Sequence, residues 1–103
     1  MLITGGENVY PAEVEDAILA HPGVLEVAVI AQPSDRWGES PCAVVVRSDL
    51  SLTEADVVAW CQGRLARYKQ PRTVVFTDTI PRNPSGKALK RLLREQFPGP
   101  SPE

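Results

Sequence analysis

The chain has 103 residues, of which 43% are hydrophobic and 23% are charged, a composition typical of one globular domain with its own core. This length excludes an enzyme with several domains and a deep cleft of its own. We identify no apolar run of membrane-spanning length and no leader pattern, and so expect a cytoplasmic protein. Cys42 and Cys61 lack metal-ligand spacing, and with a single histidine they indicate buried, reduced thiols and no metal site.

The net charge of -2 is unevenly distributed along the chain. Residues 1–63 carry ten acidic and two basic residues (net -8), whereas residues 64–94 carry nine basic residues and one acidic residue (net +8). A basic block of this kind suggests a polyanionic partner such as a nucleotide, coenzyme A or nucleic acid. Tyr68 and Phe76 are its only aromatic residues, and nucleic-acid surfaces usually interleave more of them, so we expect no nucleic-acid partner.

The N-terminal part of the chain predicts a hairpin followed by a helix. Residues 2–4 are extended and lead into the turn at Gly5 and Gly6. Pro11 suits the first turn of a helix, which we expect to stop at residues 21–23 (His-Pro-Gly). His21 stands at this stop, so we interpret it as a capping or surface residue and not as a catalytic one.

The middle of the chain predicts two buried strands joined by a loop. Residues 24–31 and 42–46 are apolar runs rich in β-branched side chains, which is typical of strands buried on both faces. Residues 32–39, with a proline and a glycine, are expected to form the loop between them. We interpret Trp37 in this loop as an aromatic residue that covers the edge of the core, and not as a platform for a ligand.

The C-terminal part completes an α+β domain. Residues 51–54 (Ser-Leu-Thr-Glu) predict a capping box that opens a helix through about residue 66, with Trp60 in the core, and residues 73–77 predict a third strand. We therefore expect a small, mostly three-stranded sheet with an N-terminal hairpin, covered by about three helices. The domain should span residues 1–97, and residues 98–103, which include three prolines, should form a flexible tail.

Residues 81–87 (Pro-Arg-Asn-Pro-Ser-Gly-Lys) organise the chemistry of the chain. The prolines stiffen the approach, Ser85 and Gly86 supply a turn, and helical spacing begins at Lys87. The pattern predicts a lysine at the start of a helix, where free amides and the helix dipole attract phosphate. It is not a Walker loop, because Pro81 and Ala88 stand where that motif needs glycine and serine or threonine.

Two motifs at opposite ends of the chain resemble the AMP-forming acyl-CoA synthetases of the adenylate-forming superfamily. Residues 81–87, with Leu92 and Arg94, resemble the family's C-terminal signature, and residues 3–15 (Ile-Thr-Gly-Gly-Glu-Asn-Val-Tyr-Pro-Ala-Glu-Val-Glu) resemble its segment just after the interdomain hinge. Further segments that resemble the family's sequence lie between these two motifs in the family's order, at residues 21–24, 35–39 and 68–71. The resemblance covers about residues 2–97 and is strongest to fatty-acid and aryl-acid CoA ligases.

The resemblance implies a reaction in two steps. A ligase of this family activates a carboxylic acid with ATP and Mg2+ to an acyl-adenylate and then transfers the acyl group to coenzyme A. The chain would be its mobile C-terminal (lid) domain. Lys87 would be the catalytic lysine of adenylation, on a loop formed by Ser85 and Gly86 beside the ATP or adenylate.

The same resemblance places the second step on another part of the domain. After the domain rotates, the turn at Thr4, Gly5 and Gly6 would line the pantetheine passage, because backbone without side chains can approach a thin ligand. The resemblance also suggests contacts to the phosphates of coenzyme A from the basic residues Arg64, Arg67 and Lys69.

The implied partner is the N-terminal domain, which holds most of the acid and ATP pockets in this family. The family's hinge residue, Asp or Lys, should precede Leu2, where this chain has Met1. We therefore expect an excised domain that binds no cofactor tightly and has no ligase turnover alone. Two alternatives remain open: an adenylation-domain fragment that acts with a carrier protein, and a non-catalytic module that binds a nucleotide or RNA.

Overall fold

The computed structural model describes residues 1–99, so residues 100–103 of the predicted tail lie outside the described part of the chain. The elements follow in the order β1 (Leu2–Thr4), β2 (Glu7–Val9), α1 (Pro11–Leu19), β3 (Val24–Ser34), β4 (Gly38–Arg47), α2 (Glu54–Gln62), a short 3-10 helix (Arg67–Lys69), β5 (Thr73–Phe76) and α3 (Lys90–Gln96). The predicted α+β class with three helices and an N-terminal hairpin is confirmed. No helix within residues 1–99 is long and apolar enough to cross a membrane.

The five strands form one sheet built around β4. Its neighbour β3 pairs with it antiparallel over the whole hairpin, from Val24 opposite Arg47 to Ser34 opposite Gly38. On the other side of β4, β5 pairs in parallel, and β1 joins antiparallel at Thr4 opposite Gly38. The sheet order is therefore β2-β1-β4-β3, with β5 beside β4.

Both faces of the central strands are buried, as the apolar runs predict. Ala43 and Val45 of β4 face the cluster covered by α1 and α2, whereas Cys42, Val44 and Val46 face the cluster that contains Leu93 of α3. This alternation follows from the two-residue period of a strand. Cys42 and Cys61 are both buried, as predicted, and burial raises the pKa of the Cys42 thiol to about 12.

The predicted loop at residues 32–39 is mostly strand. The pairing of β3 with β4 continues through Pro33 opposite Glu39, and only residues 35–37 form the turn. Pro33 is compatible with this strand because β3 is at the edge of the sheet. The N–H of Val29 points away from β4 and donates to Glu15 Oε2 (2.8 Å). Position 33, four residues later, has its backbone nitrogen on the same outer edge, so proline, which has no N–H, removes no hydrogen bond to β4.

The capping box of α2 lies two residues later than the sequence predicts. Thr53 Oγ1 accepts a hydrogen bond from the Asp56 amide (3.1 Å), and Asp56 Oδ2 accepts one from the Thr53 amide (2.9 Å). The Ser51 hydroxyl instead donates to Asp49 Oδ1 (2.6 Å). The helix ends at Gln62, before the predicted boundary at residue 66.

Trp60 of α2 is only partly buried, and the prediction that it belongs to the core is therefore wrong in detail. Its indole Nε1 donates to the Ala17 carbonyl of α1 (2.8 Å), and the His21 ring packs against it in a T-shaped arrangement with the centroids 4.7 Å apart. A polar N–H that must reach a partner keeps this ring at the rim of the core. His21 also accepts a hydrogen bond from the Gly23 amide at Nδ1 (2.9 Å), so this side chain, predicted to cap the helix or lie at the surface, stabilises the turn that follows α1.

Replacing the true cap should destabilise the domain more than replacing the predicted one. We expect Thr53→Ala to lower the free energy of unfolding by about 1 kcal/mol, and Ser51→Ala to lower it by less than about 0.5 kcal/mol. Urea denaturation of both variants at pH 7 measures the difference. A loss for Ser51→Ala as large as that for Thr53→Ala would contradict the assigned cap.

The contribution of the cap should also depend on pH. Hydrogen bonds from Thr53 lower the pKa of the Asp56 carboxyl, so its stabilising effect is present above the ordinary carboxyl pKa. It should be lost as the pH falls through the lowered folded-state pKa. Since the largest cause is the Thr53 backbone amide, which an alanine at position 53 keeps, the variant to compare is Asp56→Ala. Its stability difference from the parent, measured by urea denaturation, should shrink below about pH 4.

Candidate functional site

Residues 82–88, named here the Lys87 loop, form a small hairpin. Arg82 and Ala88 pair as an antiparallel bridge, and the Asn83 amide donates to the Lys87 carbonyl (2.9 Å). The Leu89 amide then bonds to the Pro81 carbonyl (2.8 Å), which keeps the chain extended after the loop. Helix α3 consequently begins at Lys90, and the prediction that Lys87 stands at a helix start is wrong.

The Asn83 side chain holds the inside of this loop. Its Oδ1 accepts hydrogen bonds from the Ser85 amide (3.1 Å), the Ser85 hydroxyl (2.8 Å) and the Lys87 amide (3.0 Å). Gly86 has a φ of 88°, in the left-handed region that favours glycine. The loop is therefore shaped by its own residues, and because α3 begins only at Lys90, the predicted attraction of phosphate by a helix start does not apply at Lys87.

Lys87 differs from the other two lysines of the chain. Lys69 Nζ lies 2.6 Å from Glu13 Oε1, and Lys90 Nζ lies 2.9 Å from Glu15 Oε2. Lys87 is exposed and has no salt bridge to any residue in the described range 1–99. An ammonium without a carboxylate partner on an ordered loop is suited to bind an anion from another molecule or domain.

The glycine turn of the β1–β2 hairpin packs against Trp37. The Gly5 amide donates to the Trp37 carbonyl (2.9 Å), and a Cβ at Gly5 would lie 2.9 Å from Trp37 Cε3. Gly5 and Gly6 have φ values of 55° and 83°. A Cβ at Gly6 would meet nothing within 4 Å, so contact with the indole restricts only Gly5.

Trp37 also lines two hollows, which share Arg67 and Arg72 and are together named here the Trp37 cleft. The first has a volume of about 340 Å³ and is lined by Thr4, Gly5, Glu7, Trp37, Arg67, Tyr68 and Arg72. The second has a volume of about 380 Å³ and is lined by Arg36, Trp37, Arg67, Gln70, Pro71 and Arg72. The Arg36 and Arg72 guanidinium carbons lie 4.8 Å and 4.5 Å from the indole centroid. An aromatic face among cations suits a ligand that combines a flat ring with phosphates.

Thr4, Gly5 and Arg67 are the predicted binding residues that the structure brings to this cleft. Thr4 is buried, and its Oγ1 has no hydrogen-bond partner within residues 1–99. Gly6 forms the turn but does not line either hollow. The structure thus unites part of the predicted set.

Arg64 and Lys69 lie outside the Trp37 cleft. The guanidinium carbon of Arg64 is 3.3 Å from the Trp60 ring centroid, and its Nη1 donates to the Trp60 carbonyl (3.1 Å). Lys69 is held by Glu13, which raises its pKa through the hydrogen bond between them. Arg72 and Trp37 occupy the cleft instead. The signals that could have found them are the basic block for Arg72 and the segment at residues 35–39 for Trp37.

The Lys87 loop and the Trp37 cleft lie at different ends of β3. Arg82 of the loop contacts Glu26 near the start of the strand, whereas the cleft lies beyond Ser34 at its end. From residue 26 to residue 34 is eight residues, which corresponds to roughly 26 Å of extended chain. The two candidate sites are therefore separate.

Comparison with known proteins gives consistent results. Residues 13–87 match the model of a family described as the AMP-binding enzyme C-terminal domain. Over 103 residues the chain is 52% identical to a long-chain-fatty-acid–CoA ligase of Mycobacterium tuberculosis, covering 100% of this chain and 20% of that protein. It is 43% identical to a 2-succinylbenzoate–CoA ligase of Bacillus cereus, with 92% and 20% covered.

A solved structure gives the same relation. ATP-bound MatB from Rhodopseudomonas palustris superimposes with a TM-score of 0.89 at 47% identity, covering 94% of this chain and 20% of that one. The chain therefore spans about a fifth of the length of the curated relatives it matches.

Alanine at Gly5 should disturb Trp37, whereas alanine at Gly6 should not. Both variants carry the cost of a positive φ, roughly 1–2 kcal/mol, but only Gly5→Ala places a Cβ against the indole. We expect Gly5→Ala to shift the NMR resonance of the Trp37 indole N–H, with the Trp60 indole as an internal reference. Equal shifts of the Trp37 resonance in the two variants would contradict the packing described.

Proposed function

The chain belongs to the AMP-binding enzyme C-terminal domain family, and from that premise we propose that it acts as the mobile C-terminal domain of an ATP-dependent acid–CoA ligase. The ligase would convert a carboxylic acid and ATP to an acyl-adenylate and pyrophosphate, and would then transfer the acyl group to the thiol of coenzyme A. The observation that carries the proposal is the separation of two surfaces at opposite ends of β3. One offers a lysine with no salt bridge within residues 1–99, and the other is a cleft of arginines around tryptophan.

In the first step, Lys87 would contact the α-phosphate and the acid carboxylate. Negative charge redistributes on these oxygens as pyrophosphate leaves, and an ammonium aimed at them stabilises the transition state. The hydrogen bonds of Asn83 already fix the backbone of Lys87, so only its side chain must be ordered when substrate binds. Ser85 and Gly86 would contribute by shaping the turn beside the adenylate.

In the second step, the Trp37 cleft would receive coenzyme A. The Gly5 backbone would border the narrow pantetheine arm, and the buried Thr4 lies beside it. The guanidinium groups of Arg67 and Arg72 would contact the phosphates. Trp37, which the sequence suggested only as a cover for the core, would lie beside the adenine with Arg72 against its ring. Arg64 and Lys69, which the sequence also suggested for the phosphates, already have partners elsewhere on the domain.

A change in the orientation of the domain would connect the two steps. Because the Lys87 loop and the Trp37 cleft contact opposite ends of β3, they cannot both face one reaction centre in a single orientation. We propose that the domain rotates between adenylation and thioester formation. The N-terminal domain would hold the acid throughout, and would be the partner of both surfaces.

The magnesium ion of ATP would be bound outside this domain. Residues 1–99 contain no group of three His, Cys, Asp or Glu side chains arranged to hold a metal ion. The phosphates themselves and the N-terminal domain would supply its ligands. The isolated chain, which lacks these groups, should accordingly have no measurable ligase turnover.

Lys87→Ala should separate the two half-reactions in a ligase that carries this domain. We expect acyl-adenylate formation, followed as pyrophosphate release, to fall by about 10²- to 10³-fold, as for the loss of other transition-state donors. Thioester formation from preformed acyl-adenylate and coenzyme A should be retained. Lys69→Ala serves as the matched lysine control for adenylation, and equal losses in both half-reactions with an intact fold would refute the assigned role.

Removing cations from the Trp37 cleft should impair thioester formation and leave adenylation intact. We expect the double variant Arg67→Ala/Arg72→Ala to raise the KM for coenzyme A by at least about tenfold, since each charge-assisted contact contributes about 1.5–3 kcal/mol. Adenylation should be unchanged. Arg64→Ala is the control, because its guanidinium lies against Trp60. A larger effect from Arg64→Ala than from the cleft variant would reverse the assignment.

A second assay distinguishes coenzyme A from a carrier protein as the acceptor. The Arg67→Ala/Arg72→Ala double variant can be assayed with coenzyme A and with phosphopantetheine, which lacks the adenine and its attached phosphates. If the cleft binds the nucleotide part, this variant should be impaired only in the reaction with coenzyme A. Equal impairment with both acceptors would favour the carrier-protein alternative.

A further inference from the structure

We infer that Arg82 is a positioning residue that orients Lys87 by fixing the peptide group before it and tying the loop to the sheet. The inference rests on the proposed role of Lys87. It concerns a residue that would not itself touch the substrate, and its evidence is the pattern of hydrogen bonds around the Gly86–Lys87 peptide.

That peptide group is held from both sides. Its carbonyl, on Gly86, accepts a hydrogen bond from Arg82 Nη1 (2.9 Å), and its N–H, on Lys87, donates to Asn83 Oδ1 (3.0 Å). Two adjacent side chains thus grip the two ends of one peptide plane. Since the direction of a side chain follows from the backbone that carries it, this grip determines where the Lys87 side chain leaves the loop.

Arg82 also connects the loop to β3. Its Nε and Nη2 donate to Glu26 Oε1 (3.0 Å and 2.6 Å), while Nη1 is directed at Gly86. The hydrogen bonds within the loop define its shape but not its position on the domain. The Arg82–Glu26 contact fixes that position relative to β3. A lysine could not make both contacts in this geometry, because its donors share a single nitrogen whereas a guanidinium is a planar fork.

A second ion pair holds the chain just after the loop. Lys90 Nζ lies 2.9 Å from Glu15 Oε2, and the same carboxylate oxygen accepts the Val29 amide of β3 (2.8 Å). The loop is therefore anchored to neighbouring parts of β3 and α1 on both sides. Within residues 1–99, however, only the Arg82 anchor reaches the peptide that carries Lys87.

The role of Arg82 in overall stability should be small. The side chains of Arg82 and Glu26 are 38% and 34% exposed, and ion pairs at this exposure contribute little to folding. A variant that lacks Arg82 should therefore fold, with little change in the midpoint of thermal unfolding. This separates a defect in positioning from a defect in folding.

The test is a double-mutant cycle in a ligase that carries this domain. Arg82→Ala should lower kcat for adenylation by about 10- to 100-fold, the range expected for a misplaced catalytic group, with the KM for ATP little changed. Thioester formation from preformed acyl-adenylate should be unaffected. Because Arg82 acts through Lys87, Arg82→Ala should cause no further loss in the Lys87→Ala background.

Two variants serve as comparisons. Arg91→Ala removes a basic residue of α3 that has no hydrogen bond or ion pair to other side chains in the described chain, and should leave adenylation unchanged. Arg82→Lys keeps the charge but not the fork, and should restore only a minor part of the activity. Full recovery in Arg82→Lys, additive losses in the cycle, or equal loss of both half-reactions would overturn the inference.

A measurement without turnover keeps the inference testable if Lys87 proves not to act in adenylation. Hydrogen exchange of the Lys87 amide in the 103-residue chain should accelerate in Arg82→Ala and not in Arg91→Ala. Unchanged exchange would contradict the positioning role. If instead exchange accelerates while Lys87→Ala leaves adenylation intact, the proposed function fails and the structural role of Arg82 stands.

Discussion

The antiparallel pairing of β3 with β4 determines where both candidate sites lie. It runs from Val24 opposite Arg47 to Ser34 opposite Gly38, and β4 in turn carries β1 and β5 on its other side. The glycine turn and Trp37 meet where β1 joins this hairpin, and the Lys87 loop is tied to its other end through Glu26. Because a shift of one residue in this register would exchange the two faces of each strand, core and sites depend on the same pairing.

The two sites are built on different physical principles. The Lys87 loop is closed by hydrogen bonds to Asn83 and offers one ammonium that no carboxylate of residues 1–99 pairs with, which suits a role at a defined point of charge. The Trp37 cleft is open and combines an indole with several guanidinium groups, which suits a larger ligand with distributed charge. Both lie at the surface, as expected for a domain that completes its sites against another domain. Closure would exclude water and strengthen these electrostatic contacts.

Local patterns in the sequence predicted those features that depend on neighbouring residues alone. The glycine hairpin, the proline-led first helix and the buried thiols are all found as expected. The predicted start of α3 was wrong because Ala88 pairs with Arg82 across the loop, and the helical spacing of apolar residues does not reveal this contact. The capping box was displaced because Ser51 and Thr53 are equivalent in type, and only the backbone shows which one bonds to Asp56.

The basic block showed the limit of charge patterns. The block suggested a polyanionic partner, but it did not show where on the domain each cation lies. Lys69 is paired with Glu13 and Arg64 lies on Trp60, both outside the cleft, whereas Arg67 and Arg72 line the cleft, with Arg72 against the Trp37 ring.

We propose that Lys87 and the Trp37 cleft serve different steps of one reaction. Chemical footprinting of lysines and arginines in a ligase that carries this domain tests it directly. A stable acyl-adenylate analogue should protect Lys87 and leave Arg72 reactive, and coenzyme A should do the reverse. Protection of both residues by the same ligand would contradict the account.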